Sequence, residues 1–211
     1  MEVPSDNSIK PPSTGSSNLT GEGVIIDIGT GDGRFVYQSA RRNPNKFYIG
    51  IDPNTRPLEK ISEKIHRKPA KGGAGNVLFI QSAVEALPDE LDGVANEVHV
   101  HFPWGSLLRA VSTGDIELMR NLRRVCAEGA LLEVVIGIDP VRDKTEIERL
   151  EIKPEFIDDA LVENYRAAGF EIVEQRTLTT SQSVDTSWSK RLQRPVTYII
   201  ARAVLSTDYT D

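Results

Sequence analysis

A chain of 211 residues, 39% of them hydrophobic, is long enough to bury one core and short enough that a single domain is expected. Its 25 Lys and Arg stand against 31 Asp and Glu, which excludes whole-molecule attraction to nucleic acid or to an anionic membrane and leaves only a local basic face for such partners. Cys126 is the sole cysteine, so no internal disulfide forms, and with neither a bilayer-length apolar run nor a secretion-type start the expected location is cytoplasmic.

Residues 1–22, rich in Ser, Pro, Gly and Asn, read as a flexible leader, residues 23–205 as the folded domain and residues 206–211 as a tail. Apolar runs of strand length follow in order: VIIDI from Val24, FYIGI from Phe47, VLFI from Val77, VHVHF from Val98 and LLEVVI from Leu131. Amphipathic stretches at 34–42, 56–67 and 115–126 read as the helices between them. This alternation predicts a parallel sheet with helices on both faces. Further helices are expected around 143–150 and 155–168. The last two strand-like runs, 170–177 and 197–204, have no obvious crossover helix between them and so predict an antiparallel pair at one side of the sheet.

The first strand runs into three glycines, Gly29, Gly31 and Gly33, and then a helix. Missing side chains there permit a tight turn and close approach of a nucleotide-like ligand. Such a loop also fits dinucleotide-binding proteins. Asp52, at the end of FYIGID, lies where a carboxylate accepts hydrogen bonds from ribose hydroxyls. Two features favour S-adenosylmethionine over a dinucleotide. Asp27 and Asp32 would repel a pyrophosphate yet could hold an ammonium group, and QSAVEALP puts Val84 and Glu85 where an adenine ring and its amine would lie. Thr30 and Gly31 in the same loop, with His101 near the end of the fourth strand and Ser106 beyond it, complete the expected cofactor set.

HFPWGSLL follows the fourth strand, at the sheet edge where open α/β proteins bind ligands, so Trp104 is expected to offer a stacking platform for a planar substrate. The other tryptophan, Trp188, stands in DTSWSKRLQR beside Lys190 and Arg191. Two loop tryptophans suit a clamp around an extruded base better than a core. Lys64, Arg67, Lys68 and Lys71, with Lys190, Arg191 and Arg194, supply a local basic face for phosphates. His99 and His101 read as strand residues rather than acid–base catalysts, and no metal site is expected.

The segments IDIGTGDGRFVY, FYIGIDP, KIHRKPAKGG, EALP, FPWGSLL and SWSKRL, in this order, resemble the 16S ribosomal RNA adenine-1408 N1-methyltransferases of the kanamycin-apramycin resistance family. The resemblance implies a class I S-adenosylmethionine-dependent (Rossmann-like) fold, a seven-stranded, mostly parallel sheet with one antiparallel strand. It implies methyl transfer to N1 of adenine 1408 in the assembled 30S subunit by a monomer, and aminoglycoside resistance as the result. On those motifs Asp27, Gly29, Asp52, Val84 and Glu85 would serve the cofactor. Trp104 and Trp188 would grip the flipped adenine, Phe102, Pro103 and Thr186 would border its pocket, and the basic residues would touch rRNA. Two rivals stand beside this reading: a tRNA guanine-N7 methyltransferase, which normally carries more acid after the fourth strand, and a cofactor-binding protein that docks on RNA without modifying it.

Overall fold

The computed structural model describes residues 23–153, 157–178 and 196–204. The expected leader and tail, and Thr186, Trp188, Lys190, Arg191 and Arg194, lie outside them.

Strand β1 (Val24–Ile28) is buried at all five positions, which is why its sequence is a nearly unbroken apolar run rather than an alternation. It pairs in parallel with β2 (Phe47–Asp52) on one side and β4 (Ala95–His101) on the other. β3 (Val77–Gln81) extends the sheet beyond β2, and β5 (Cys126–Ile136) lies beyond β4. β7 (Val196–Ala203) runs antiparallel between β5 and β6 (Phe170–Leu178), giving the order β3-β2-β1-β4-β5-β7-β6. The chain reverses its direction of travel across the sheet between β1 and β4. At such a switch point the connections leave to opposite sides and open a crevice at the strands' carboxyl ends.

Helices α1 (Arg34–Arg42) and α2 (Glu59–Ile65) cover one face, with Val36, Ala40 and Ile65 packed on Ile25, Tyr48 and Val77. On the other face, α3 (Gly105–Thr113), α4 (Ile116–Val125) and α6 (Asp159–Ala167) bury Leu108, Met119, Leu122 and Tyr165 against Ile26, Val98 and Leu132. A short α5 (Lys144–Arg149) precedes α6.

The expected elements are present, with four adjustments. α3 is a full helix in a stretch that the Pro-Trp-Gly sequence marked as loop; Leu107, Leu108 and Val111 give it a buried stripe, and Gly114 ends it in the left-handed region. The expected helix over 56–67 divides into a 3-10 turn at Arg56–Leu58 and α2, which stops at Ile65 before the turn carrying Pro69. β4 begins at Ala95 and β5 at Cys126, earlier than their apolar cores, because Ala95 and Cys126 pair with each other ahead of a register shift. α6 starts at Asp159 rather than 155, capped by Asp158, whose carboxylate accepts the Leu161 amide at 2.9 Å.

Candidate active site

The carboxyl ends of β1, β2, β3 and β4 converge on one cleft of about 610 Å³. The glycine loop forms its floor. The Gly29 and Thr30 amides both donate to the Ile51 carbonyl, at 2.8 and 3.0 Å, folding the loop over the end of β2. The Gly31 amide donates to Asp52 Oδ2 at 2.9 Å, while Asp52 Oδ1 accepts from the Asn54 amide at 2.8 Å. One carboxylate thus ties the loop to β2 and still borders the cleft.

Gly31 has φ +59, and a Cβ there would meet nothing within 4 Å, so its bareness leaves room in the cleft. Gly33 differs. At φ +69 its Cβ would come within 2.7 Å of the Phe79 ring, so its bareness serves the seating of α1 against the sheet.

Beyond β3, a 3-10 turn at Val84–Ala86 puts buried Val84 in the wall and exposed Glu85 at the rim. Beyond β4 the backbone turns sharply. Phe102 has φ +51, unusual for a bulky residue, with its amide donating to the Val135 carbonyl at 2.8 Å. Its ring lies over Gly137, where a Cβ would come within 2.9 Å of the ring. This bend buries Pro103 and leaves Trp104, the residue preceding α3, 55% exposed in the cleft wall. An exposed indole on a fixed backbone can stack a planar ring at little conformational cost.

The structure therefore brings together Gly29, Gly31, Asp52, Val84, Glu85, Phe102, Pro103, Trp104 and Ser106. It adds Ser82, Leu107, Gly137 and Asp143. Ser82 and Gly137 follow β3 and β5 at the carboxyl edge, where position alone could have flagged them. Asp143 carries no such signal in the sequence; its Oδ2 accepts the Asp139 amide at 2.9 Å.

Four residues expected at the cofactor do not line the cleft: Asp27, Thr30, Asp32 and His101. Ile26 and Ile28 belong to the main core, so the alternation of β1 sends Asp27 to the α1 face, where burial pushes its carboxyl group up despite the nearby His101. Thr30 is buried within the loop. Asp32 Oδ1 accepts the Arg34 amide at 3.1 Å, and the side chain pairs with the Arg34 guanidinium at 3.4 Å, setting its charge at the start of α1. His101 is buried beside Glu133, with Nε2 2.6 Å from Oε1.

Of the basic residues, Arg67, Lys68 and Lys71 are exposed, whereas Lys64 is half-buried with its ammonium 4.4 Å from the Tyr37 ring centroid. All four sit where α2 returns to the start of β3, near Arg41, whose guanidinium donates to the Pro69 and Gly73 carbonyls. That is the amino edge of the sheet, opposite the cleft.

The cleft's volume lies within the range of small-molecule sites, about 300–1,000 Å³, and its glycine floor, ribose-height carboxylate and apolar Val84 wall fit S-adenosylmethionine. Comparisons with known proteins agree. The family model for 16S rRNA (adenine(1408)-N(1))-methyltransferase, NpmA, matches residues 15–204. The chain is similar to the 16S rRNA (adenine(1408)-N(1))-methyltransferase of Streptoalloteichus tenebrarius, 39% identical over 173 residues and 80% of each chain. Among solved structures, the aminoglycoside resistance methyltransferase NpmB1 is 47% identical with a TM-score of 0.79, over 88% of this chain and 89% of that one. A 16S rRNA (adenine(1408)-N(1))-methyltransferase from Catenulisporales acidiphilia, solved with its cosubstrate S-adenosylmethionine, superimposes with a TM-score of 0.81 at 35% identity, over 90% of this chain and 89% of that one. The chain belongs to the 16S rRNA (adenine(1408)-N(1))-methyltransferase family.

Proposed function

We propose that this chain methylates N1 of adenine 1408 within the assembled 30S subunit, that Trp104 supplies a stacking face for the flipped base, and that the modification confers aminoglycoside resistance. The observation that carries the reading is Trp104 itself, exposed in the wall of the cofactor-sized cleft and fixed there by the Phe102 bend.

The reaction asks little acid–base chemistry of the protein. Bound S-adenosylmethionine supplies a methyl group already activated on a sulfonium, and adenine N1 offers its own lone pair. What the chain contributes is alignment, which accounts for about 7–11 kcal/mol of barrier lowering in favourable cases. Gly29 and Gly31 leave backbone space, Asp52 offers acceptor oxygens at ribose height, and Val84 and Glu85 would flank the adenine ring. Trp104, with buried Pro103 behind it, orients the substrate base. The second indole of the proposed clamp, Trp188, lies outside the described residues. The ends of its connection, Leu178 and Val196, pair with each other and pack with Phe102, which supports a clamp formed at this edge.

Single-turnover methylation of 30S subunits by Trp104→Ala tests the role of the indole. Stacking is worth about 1–3 kcal/mol per base, so the rate is expected to fall about 10–100-fold while 30S affinity changes little and Trp104→Phe recovers most of it. Parallel loss of rate and affinity, or an unchanged rate, would remove Trp104 from base positioning.

A further inference from the structure

The α1 face of the sheet carries a cluster that methyl transfer does not use. Asp27, His99 and Glu133 stand opposite one another across β1, β4 and β5, and His101 follows two residues on along β4. A row of ionisable side chains across the central strands is unusual where apolar residues normally pack.

Their atoms converge. His101 Nε2 lies 2.6 Å from Glu133 Oε1, His99 Nδ1 lies 3.2 Å from the same oxygen, and the two ring nitrogens face each other at 3.4 Å. The Phe35 ring closes the cluster from α1, with centroids 4.8 Å from His101 and 5.3 Å from His99. Glu133 keeps a third of its side chain exposed and gives access from solvent.

We propose that His99, His101 and Glu133 form a structural site for a divalent transition ion of the zinc class. Two arguments carry it. Metal–ligand bonds of about 2.0–2.1 Å in tetrahedral geometry require ligand–ligand edges of about 3.3 Å. Two of the three edges already match, and the third needs only a small outward swing of the part-exposed Glu133 side chain. Next, the far nitrogen of His99, Nε2, lies 3.5 Å from Glu97 Oε2, so the ring has a carboxylate behind it, as metal-bound imidazoles commonly do. Two imidazoles and one carboxylate suit zinc, iron or nickel rather than magnesium or calcium. The ion would pin β4 to β5 beneath the loops that carry Gly31 and Trp104.

The test uses the full chain, stripped with a chelator and titrated with zinc chloride by calorimetry and, separately, with cobalt(II) chloride by visible spectroscopy. Saturable one-to-one zinc binding, a tetrahedral cobalt(II) spectrum and a higher melting temperature with zinc are expected. Glu133→Gln should abolish the one-to-one binding, and Glu97→Gln, which removes the carboxylate behind His99 together with its ion pair to Lys46, should weaken it about 10-fold. No saturable binding by the wild-type chain, an octahedral cobalt spectrum, or full binding in a folded Glu133→Gln variant would overturn the proposal. The wild-type cobalt spectrum decides the matter even if the Glu133 variant fails to fold.

Discussion

Two glycines in one loop, Gly31 and Gly33, do different work, and substitution separates them. Gly31→Ala places a methyl group in open space at φ +59, so the folding cost is confined to backbone strain of about 1–2 kcal/mol. The methyl group also occupies the cleft, and S-adenosylmethionine affinity measured by calorimetry is expected to fall at least about 10-fold, more than the removal of one neutral hydrogen bond would cause. Gly33→Ala drives its Cβ into Phe79 and Ile61 at the same backbone strain, for a loss of about 3 kcal/mol in denaturant unfolding. Equal stability losses in the two variants would show that the loop is only a turn. At this scale the sequence was legible where spacing decides proximity. Gly29, Gly31 and Asp52 could be placed together from a strand, a turn and a second strand. Asp27, only two residues before Gly29, could not be placed that way. In a strand buried on both sides the side chain that faces a helix and the one that faces the core look alike, and the structure turns Asp27 to the α1 face with His99 and His101.

Among the elements, β1 and β2 were readable because their burial leaves almost unbroken apolar runs, and β3, an edge strand with Leu78 exposed, was readable from its apolar run alone. α3 was not, because its start, Pro103, Trp104 and Gly105, carries the residues of a loop, and its helical stripe emerges only once α4 and α6 cover it. The packing of this layer includes a buried tyrosine hydroxyl. Tyr165 is fully buried, and its hydroxyl donates to the Val111 carbonyl at 2.9 Å, joining α6 to the helix that follows the Trp104 bend. Burial pushes its phenol well above the usual range, so the group stays a neutral donor. Tyr165→Phe deletes that bond and is expected to cost about 1 kcal/mol, a melting temperature lower by about 2–4 °C, with cofactor affinity unchanged. A loss of cofactor affinity matching the loss of stability would mean that the packing of α3 on α6 shapes the cleft itself.

The whole molecule carries net charge −6, yet its proposed substrate is a polyanion, so the distribution of charge matters more than its sum. Arg67, Lys68 and Lys71 lie at the amino edge of the sheet. They are separated from the cleft by the length of the strands, five to six residues in β2 and β3, or about 17–20 Å. Helix propensity and charge count could not show this separation, because it depends on α2 returning the chain to the start of β3. On the proposed reading, RNA that delivered a base to Trp104 would meet these cations only by also running along the α1–α2 flank. Replacing Arg67, Lys68 and Lys71 with glutamine should weaken 30S binding and lower the slope of log affinity against log salt by up to about 0.9 for each phosphate that is no longer neutralised, leaving cofactor affinity intact. An unchanged slope would place the RNA elsewhere. Among the described residues no helix is long and apolar enough to cross a membrane. The most direct measurement incubates the purified chain with labelled S-adenosylmethionine and either 30S subunits or tRNA, then maps the modified base by primer extension. Label in 30S and a single stop at adenine 1408 are expected; label in tRNA alone, or a stop at any other base, would rule out adenine 1408 as the target.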